Sequence, residues 1–196
     1  ALEDFGGRPD DIAAEARGKD AARAYLELHI EQGPVLEQND AAVGIVTGIC
    51  GIERNSVSFG GETGHAGTVP MAGRRDALVA ASEFIVKVHD AARRIDGLRA
   101  TIGTLALKPD VVNAIARDAT LTLEIRALSD AARLEFAAAA QVWGTEIAGT
   151  RDVSFAMSKT YEQTAVPCAP DLIQTLEQAA GDAGQKCAAA AIGRHP

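Results

Sequence analysis

The order of helix and strand patterns between residues 52 and 160 constrains the fold most. Residues 100–109 (ATIGTLALKP) and 120–128 (TLTLEIRAL) alternate apolar and polar side chains with the period of two typical of half-buried β-strands. Residues 73–94 instead repeat apolar side chains every 3.6 positions, which predicts an α-helix. A second, Ala-rich helix is predicted at 130–148, with Ser129-Asp130 as its N-cap.

Further strands are predicted within residues 43–64, as one long or two short strands, and at 152–158. The order is therefore β-α-β-β-α-β. This order predicts an α+β fold, a ferredoxin-like sandwich in which two helices cover one face of an antiparallel sheet.

The segments on either side of the sandwich carry helix and strand patterns of their own. A short helix is predicted at 9–18, and a loop with two prolines leads into a last helix within 164–184. We therefore expect a sandwich at 44–160 inserted into a second domain, whose two parts are residues 1–43 and 161–196.

Composition excludes several classes of protein. Of the 196 residues, 47% are apolar and 23% are charged, as in globular proteins. The net charge of −8 disfavours nucleic acid and anionic membranes as partners, and no apolar run reaches the roughly 18 residues of a membrane helix. Three cysteines without a CxxC pair, and no visible signal peptide, predict a reducing compartment, the cytoplasm. Arg93, Arg94 and Arg99 cluster on and just after a predicted helix, which indicates a solvated face.

Residues 25–34 (YLELHIEQGP) place charged and imidazole side chains at every second position. As a strand that ends at Gly33-Pro34, this segment would point its apolar residues to one face and Glu27, His29 and Glu31 to the other. It is either an ordinary half-exposed strand or part of a metal or catalytic site. A zinc site needs three or four protein ligands, and no HExxH motif or HxD triplet supplies them.

Three further residues are candidates for chemistry. His65 lies between glycines in GETGHAGTVPM, a setting that suits either a functional imidazole or a turn. Asn113, in a turn, and Arg126, at the end of a strand, together suit a substrate carboxylate. The alternative is that Arg126 pairs with Glu124 or a neighbouring strand, and the spacing alone favours it. His89 and His195 receive no role.

These motifs resemble a known family. YLELHIEQGPVLE, GHAGTVPMAGRRDAL, and TIGTLALKPDVVNAI followed by LEIR are similar to the amidase branch of the M20 metallopeptidase family. That branch contains N-carbamoyl-L-amino-acid hydrolases, allantoate amidohydrolases and β-ureidopropionases. The resemblance runs in order from about residue 20 to 187.

The resemblance implies a catalytic domain that holds two divalent metal ions, zinc or manganese, and an inserted lid that forms a homodimer. It implies that His29 is a metal ligand and that Gln32 lies near a small substrate with a carboxylate. It implies that His65 reaches the partner's active site and stabilises the oxyanion, while Asn113 and Arg126 bind the carboxylate. The reaction would be attack of metal-bound water on a carbamoyl or ureido carbon, with release of ammonia.

The sequence departs from the family in three places. The N-terminal metal motifs and the C-terminal Gly-His-Asp motif do not occur, and Ala116 replaces the usual proline. We therefore expect a fragment, a lid with part of a catalytic domain, that is inactive by itself. A non-catalytic dimerisation or ligand-binding module is the alternative, and an M20 peptidase or aminoacylase ranks below the amidase.

Overall fold

The computed structural model describes residues 3–18 and 20–192, and the chain divides into two compact units, Ala1–Gln32 and Gly33–Pro196. His195 lies outside the described residues. None of the helices in the described part of the chain combines the length and the apolar character needed to cross a lipid bilayer.

The first unit contains two short 3-10 turns, Glu3–Phe5 and Pro9–Asp11, and neither buries a residue. The predicted helix at 9–18 is therefore wrong beyond its first turn. A short helix is marginal in water unless one of its faces packs against a neighbour, and this segment is largely exposed.

The predicted strand at residues 25–32 is also wrong, because these residues form coil. Leu26, Leu28 and Ile30 are 61%, 99% and 73% exposed. A strand is held by hydrogen bonds to a neighbouring strand, and no strand in the described part of the chain pairs with this segment.

The second unit contains all the longer helices and strands. In chain order they are α1 (Val35–Gln38), β1 (Val43–Ile49), β2 (Gly51–Gly60), α2 (Ala77–Ala92), β3 (Arg99–Lys108), β4 (Asp118–Ala127), α3 (Asp130–Arg151), β5 (Ser154–Gln163), β6 (Val166–Pro167), α4 (Pro170–Asp182) and β7 (Cys187–Ile192).

The predicted sandwich is confirmed. Its four strands lie in the order β3-β4-β2-β5, and every neighbouring pair is antiparallel. Helices α2 and α3 cover one face, and alternate residues of β4 point into the core between them: Leu121, Leu123 and Ile125 are fully buried. The opposite face of the sheet, called here the open face, carries the intervening polar residues.

Aromatic packing fixes how the helices sit on the sheet. The rings of Phe59 and Phe84 meet edge to face with centroids 5.7 Å apart, and the ring of Phe155 lies 5.1 Å from that of Phe59. Gly144 of α3 makes room for this cluster, since a Cβ atom there would lie 2.1 Å from Phe155. Such ring arrangements add to the burial of apolar surface.

Both helices of the sandwich begin at side-chain caps. The carboxylate of Asp76 accepts hydrogen bonds from the backbone of Leu78 and Val79 at the start of α2. The hydroxyl of Ser129 accepts one from the backbone of Ala132, which confirms the N-cap expected from the sequence. Helix α3 passes Gly149 and ends at Arg151, where Asp152 adopts a left-handed conformation with φ of 51°.

A second, smaller sheet has the order β6-β1-β7. Strand β1 pairs antiparallel with β6 and parallel with β7, so it joins segments from both sides of the sandwich. The sequence did not predict β7, because its CAAAAI run contains only one of the β-branched residues that favour strands, Ile192. The domain boundaries at 43/44 and 160/161 remain a prediction.

Candidate functional site

Two loops at one end of the sandwich hold His65 and Asn113. The loop between β2 and α2 pairs with the loop between β3 and β4, where Ile115 N donates to Gly64 O at 2.8 Å and Ala66 N donates to Asn113 O at 2.9 Å. His65 itself forms an antiparallel bridge with Ala114. Residues 47 to 51 positions apart in the sequence are therefore neighbours in the fold.

The imidazole of His65 is held by its own loop and is exposed. The backbone N–H of Gly67 donates to His65 Nδ1 at 3.1 Å, so Nδ1 acts as an acceptor. In the neutral ring the proton then sits on Nε2, which becomes a hydrogen-bond donor. A Cβ atom at Gly67 would lie 3.3 Å from Cε1 of the ring, closer than ordinary contact, so glycine suits this position.

Arg74, which the sequence analysis did not single out, ties this loop together. Its Nη2 donates to Ala66 O at 2.8 Å and to Val69 O at 2.6 Å, and its Nε donates to Val69 O at 3.2 Å. A single guanidinium thus satisfies several carbonyls of the turn that follows His65. The GRRDAL part of the resemblance motif contained this residue.

Asn113 lies beside His65, and its side chain is exposed. Its carboxamide makes no hydrogen bond to any residue in ranges 3–18 and 20–192, although its backbone carbonyl binds the His65 loop. Two paired loops at the tip of the sandwich therefore carry an exposed amide and an exposed imidazole donor.

Arg126 lies elsewhere, on the open face near the end of β4. Its Nε donates to Glu124 Oε1 at 2.6 Å, and Arg54 Nε donates to Glu124 Oε2 at 2.7 Å. The ion pair with Glu124 that the spacing favoured is thus present. Burial raises the pKa of Glu124, but the hydrogen bonds and charges of Arg126 and Arg54 outweigh it and lower that pKa below its ordinary value.

The two groups of candidates are far apart within one chain. The loops of His65 and Asn113 adjoin the start of β4, since Gly61 N donates to Arg117 O at 2.7 Å. Asp118 and Arg126 are eight residues apart along β4. At the rise of a β-strand this is about 26 Å, so one chain does not bring Arg126 to His65 and Asn113.

His29 and Gln32 belong to the first unit and are exposed. His29 Nδ1 lies 2.5 Å from Ile30 O, which makes Nδ1 the donor and leaves the lone pair on Nε2, the atom a metal would bind. Gln32 has φ of 56°, in the left-handed region that few non-glycine residues adopt.

The described residues do not form the expected metal centre. Residues 3–18 and 20–192 contain no group of three or more His, Cys, Asp or Glu side chains that could hold a metal ion. His29 is therefore a single donor here, short of the three or four protein ligands of a zinc site.

Comparison with known proteins identifies the family. Residues 47–147 match the peptidase dimerisation domain of the M20 family. The chain is 35% identical over 184 residues to the N-carbamoyl-L-amino acid amidohydrolase of Geobacillus stearothermophilus, covering 94% of this chain and 45% of that protein. It is 33% identical over 157 residues to the allantoate amidohydrolase of Escherichia coli K12, covering 80% of this chain and 38% of that protein.

The fold is similar as well. The crystal structure of a hydantoinase/carbamoylase family amidase from Burkholderia ambifaria matches with a TM-score of 0.83 and 31% identity, over 85% of this chain and 42% of that one. The chain thus spans less than half the length of the curated relatives it matches. Together with the motifs around His29, His65 and Asn113, these matches show that the chain belongs to the amidase branch of the M20 metallopeptidase family.

Proposed function

We propose that this chain supplies the lid and part of the catalytic domain of a metal-dependent amidohydrolase. The complete enzyme would hydrolyse a C–N bond of an N-carbamoyl amino acid or a ureido compound such as allantoate and release ammonia. The names of the relatives support this substrate class. Within this chain the proposal rests on one observation. The N–H of Gly67 donates a hydrogen bond to His65 Nδ1, which leaves Nε2–H as an exposed donor.

This donor suits the oxyanion that develops when a carbonyl carbon is attacked. A donor held in place before the reaction stabilises the developing charge without reorganisation. The loop of His65 is held by Arg74 and by the strand-like pairing with residues 113–115, so the ring is positioned by backbone contacts. Asn113 lies on the loop that pairs with the loop of His65, and its carboxamide would contact the same substrate.

Arg126 would bind the substrate carboxylate. The resemblance separately implies that Gln32 lies near a substrate of the complete enzyme. Because Arg126 lies about 26 Å along β4 from the loops of His65 and Asn113, we assign the two groups to different active sites of a homodimer. His65 and Asn113 would act in the partner's site, and the sandwich would form the dimer interface, as the match to the dimerisation domain supports.

The complete enzyme would use two divalent ions, zinc or manganese, with His29 Nε2 as one ligand. Because the described residues form no metal-binding group of three or more, we assign no step of the reaction to a metal bound by this chain. We expect the isolated chain to release no ammonia.

The proposed domains are 1–43, 44–160 and 161–196, and the sheet that joins segments from both sides of the sandwich supports the insertion. We also propose a cytoplasmic location. The free cysteines Cys50 and Cys168 are compatible with a reducing compartment.

A chimera tests the function of the residues that this chain carries. Residues 44–160 would replace the equivalent lid of the Geobacillus stearothermophilus relative, and ammonia release from N-carbamoyl-L-alanine and allantoate would be measured. We expect activity in the chimera and a loss of about 100-fold in kcat after His65→Ala, the usual cost of one oxyanion donor.

The control variant is His89→Ala, which removes an exposed histidine on α2 and should leave the activity unchanged. Full activity without His65 would contradict the oxyanion role. A chimera that folds and dimerises but releases no ammonia would favour the non-catalytic module instead.

A further inference from the structure

Within the described residues, the chain crosses twice between the smaller sheet and the sandwich, and the two crossings lie side by side. The first crossing, residues 49–52, joins β1 to β2, and the second, residues 163–166, joins β5 to β6. They run antiparallel, because Ile49 pairs with Val166 and β2 pairs with β5. This two-stranded ribbon, called here the joint, is the covalent connection between the two sheets.

A side chain of helix α3 binds the backbone of the joint. Ala165 N donates to the carboxylate of Asp130, at 3.1 Å from Oδ2 and 3.2 Å from Oδ1. Asp130 is the first residue of α3, and Ser129 before it caps the helix. A hydrogen bond to a carboxylate is stronger than one between neutral groups. The start of α3 is therefore attached to the second crossing.

The first crossing has room for this carboxylate only because it contains a glycine. Gly51 is buried and pairs with Ala127 of β4. A Cβ atom at Gly51 would lie 2.4 Å from Asp130 Oδ1 and 2.9 Å from Ala165 N, closer than real Cβ atoms approach. Because Ala165 N belongs to the backbone, such a clash would shift the second crossing itself.

Arg133 fixes Asp130 and binds the strands that leave the joint. Its Nε donates to Asp130 Oδ1 at 3.2 Å, its Nη1 to Glu53 Oε2 at 2.8 Å, and its Nη2 to Glu162 Oε1 at 2.9 Å. Glu53 and Glu162 lie directly opposite each other in β2 and β5, so the buried guanidinium bridges two like charges that would otherwise repel. The position of the Asp130 carboxylate is therefore set by the sandwich.

We propose that Asp130 is a positioning residue, which holds the joint and sets the orientation of the sandwich on the smaller sheet. Away from the joint, the described helices and strands of the sandwich pack mainly on one another, as do those of the smaller sheet. The consequence for catalysis rests on the proposed function. Arg126, the proposed ligand of the substrate carboxylate, lies opposite Ile52 at the sandwich end of the joint. The angle at the joint therefore decides how Arg126 is placed relative to the catalytic part.

Residual dipolar couplings of the isotope-labelled chain test this role. Backbone N–H couplings, measured by NMR in a weakly aligning medium, report the alignment of the sandwich and of the smaller sheet separately. In the unmodified chain we expect one common alignment for both sheets. Asp130→Ala removes the acceptor of Ala165 N. It should lower the alignment magnitude of the smaller sheet relative to the sandwich by roughly a third, the difference in order between rigid and flexible backbone.

A second variant reaches the same contact from the first crossing. Gly51→Ala should separate the two alignments as Asp130→Ala does, and it decides the question if the Asp130 variant does not fold. Asp171→Ala is the control for the first variant, because it removes an aspartate from the first turn of α4. Gly103→Ala is the control for the second, because its Cβ atom would lie 3.5 Å from Thr122 Oγ1, an ordinary contact. Both controls should retain the common alignment.

Two results would overturn the positioning role. One is a pair of different alignments in the unmodified chain, which would show that the joint is not held. The other is a common alignment that survives Asp130→Ala or Gly51→Ala. A lower thermal midpoint with the common alignment retained belongs to this second result, because it would show that the contact only adds stability.

An extended chimera tests the consequence for Arg126. Residues 44–167 would replace the equivalent segment of the Geobacillus stearothermophilus relative, so that the whole joint comes from this chain. Asp130→Ala should raise the KM for N-carbamoyl-L-alanine about tenfold, as the loss of one charge-assisted contact does, and change kcat less. An unchanged KM would refute the placement of Arg126 by Asp130. A chimera that releases no ammonia would reject the amidohydrolase and leave the result of the dipolar couplings intact.

Discussion

Strand β4 and the segment at residues 25–32 have similar sequence patterns and opposite outcomes. Both alternate apolar with polar or charged residues, yet Leu121, Leu123 and Ile125 are fully buried while Leu26, Leu28 and Ile30 are exposed. Strand β4 lies between β3 and β2 and packs against two helices. In the described part of the chain, by contrast, no strand pairs with residues 25–32. Alternation thus defines two faces, but a strand forms only where neighbours bond its backbone and cover its apolar face.

The largest expected difference between the two regions is the loss of stability when a large apolar side chain is replaced by alanine. Phe84→Ala should lower the free energy of unfolding of the sandwich by about 4 kcal/mol, because a fully buried ring in contact with Phe59 and Phe155 leaves a cavity. Leu28→Ala is the control and should change it by less than about 0.5 kcal/mol. Urea unfolding followed by circular dichroism measures both, and comparable losses would show that residues 25–32 also pack in solution.

A buried cation tests how far the sandwich depends on polar contacts. Arg133 of α3 is 1% exposed and donates to Glu53, Glu162 and Asp130. Arg133→Met should destabilise the protein by about 3 kcal/mol, because Glu53 would remain buried without its partner. The same unfolding measurement applies.

The control for that variant is Arg151→Met, which breaks an exposed pair with Glu83 and should destabilise the protein far less than Arg133→Met. The double variant Arg133→Met with Glu53→Leu should recover part of the loss. A loss at Arg133 no larger than at Arg151 would refute the structural role of the buried network.

Acidic pH should lower the stability of the sandwich, because Glu124 becomes protonated and loses its ion pairs. Its pKa is lowered in the folded state, so its contribution to stability is present above the ordinary carboxyl pKa and is lost as the pH falls through the lower, folded-state value. Glu124→Gln should cost about 1 to 2 kcal/mol at pH 7 and flatten the decline in stability at acidic pH. Glu27→Gln, the same change in residues 25–32, should leave the curve of thermal midpoint against pH unaltered. An unchanged slope after Glu124→Gln would contradict this assignment.

The smallest effect concerns two residues with similar backbone angles. Asp152 and Gln32 have φ of 51° and 56°, a region in which glycine is favoured. Asp152→Gly, at the end of α3, should raise the free energy of unfolding by about 0.5 kcal/mol, because it relieves strain in the folded sandwich. Gln32→Gly should leave the melting temperature of the sandwich unchanged, and an equal increase for both would mean that the two regions unfold together.

Candidate residues differ in how far the sequence could locate them. The Glu124 partner of Arg126 follows from spacing, because residues two apart in a strand share a face. The loops of His65 and Asn113 pair through their backbones, and no pattern in the sequence indicated this pairing. Arg99 was assigned to a solvated face, and its place opposite Arg126 depends on a register that shifts between Ile102 and Leu105. A bulge of this kind inserts one residue and has no clear signature in the pattern.

By itself, the sequence determined the β-α-β-β-α-β order, the N-cap at Ser129 and the core face of β4, because side-chain period and capping chemistry are local properties of the chain. Only the tertiary structure decided that residues 25–32 form coil, that alanine-rich residues 187–192 form a strand, and that arginines from β3 and β4 stand side by side. These outcomes depend on which backbone lies next to which, and hydrogen bonds between distant segments set that arrangement.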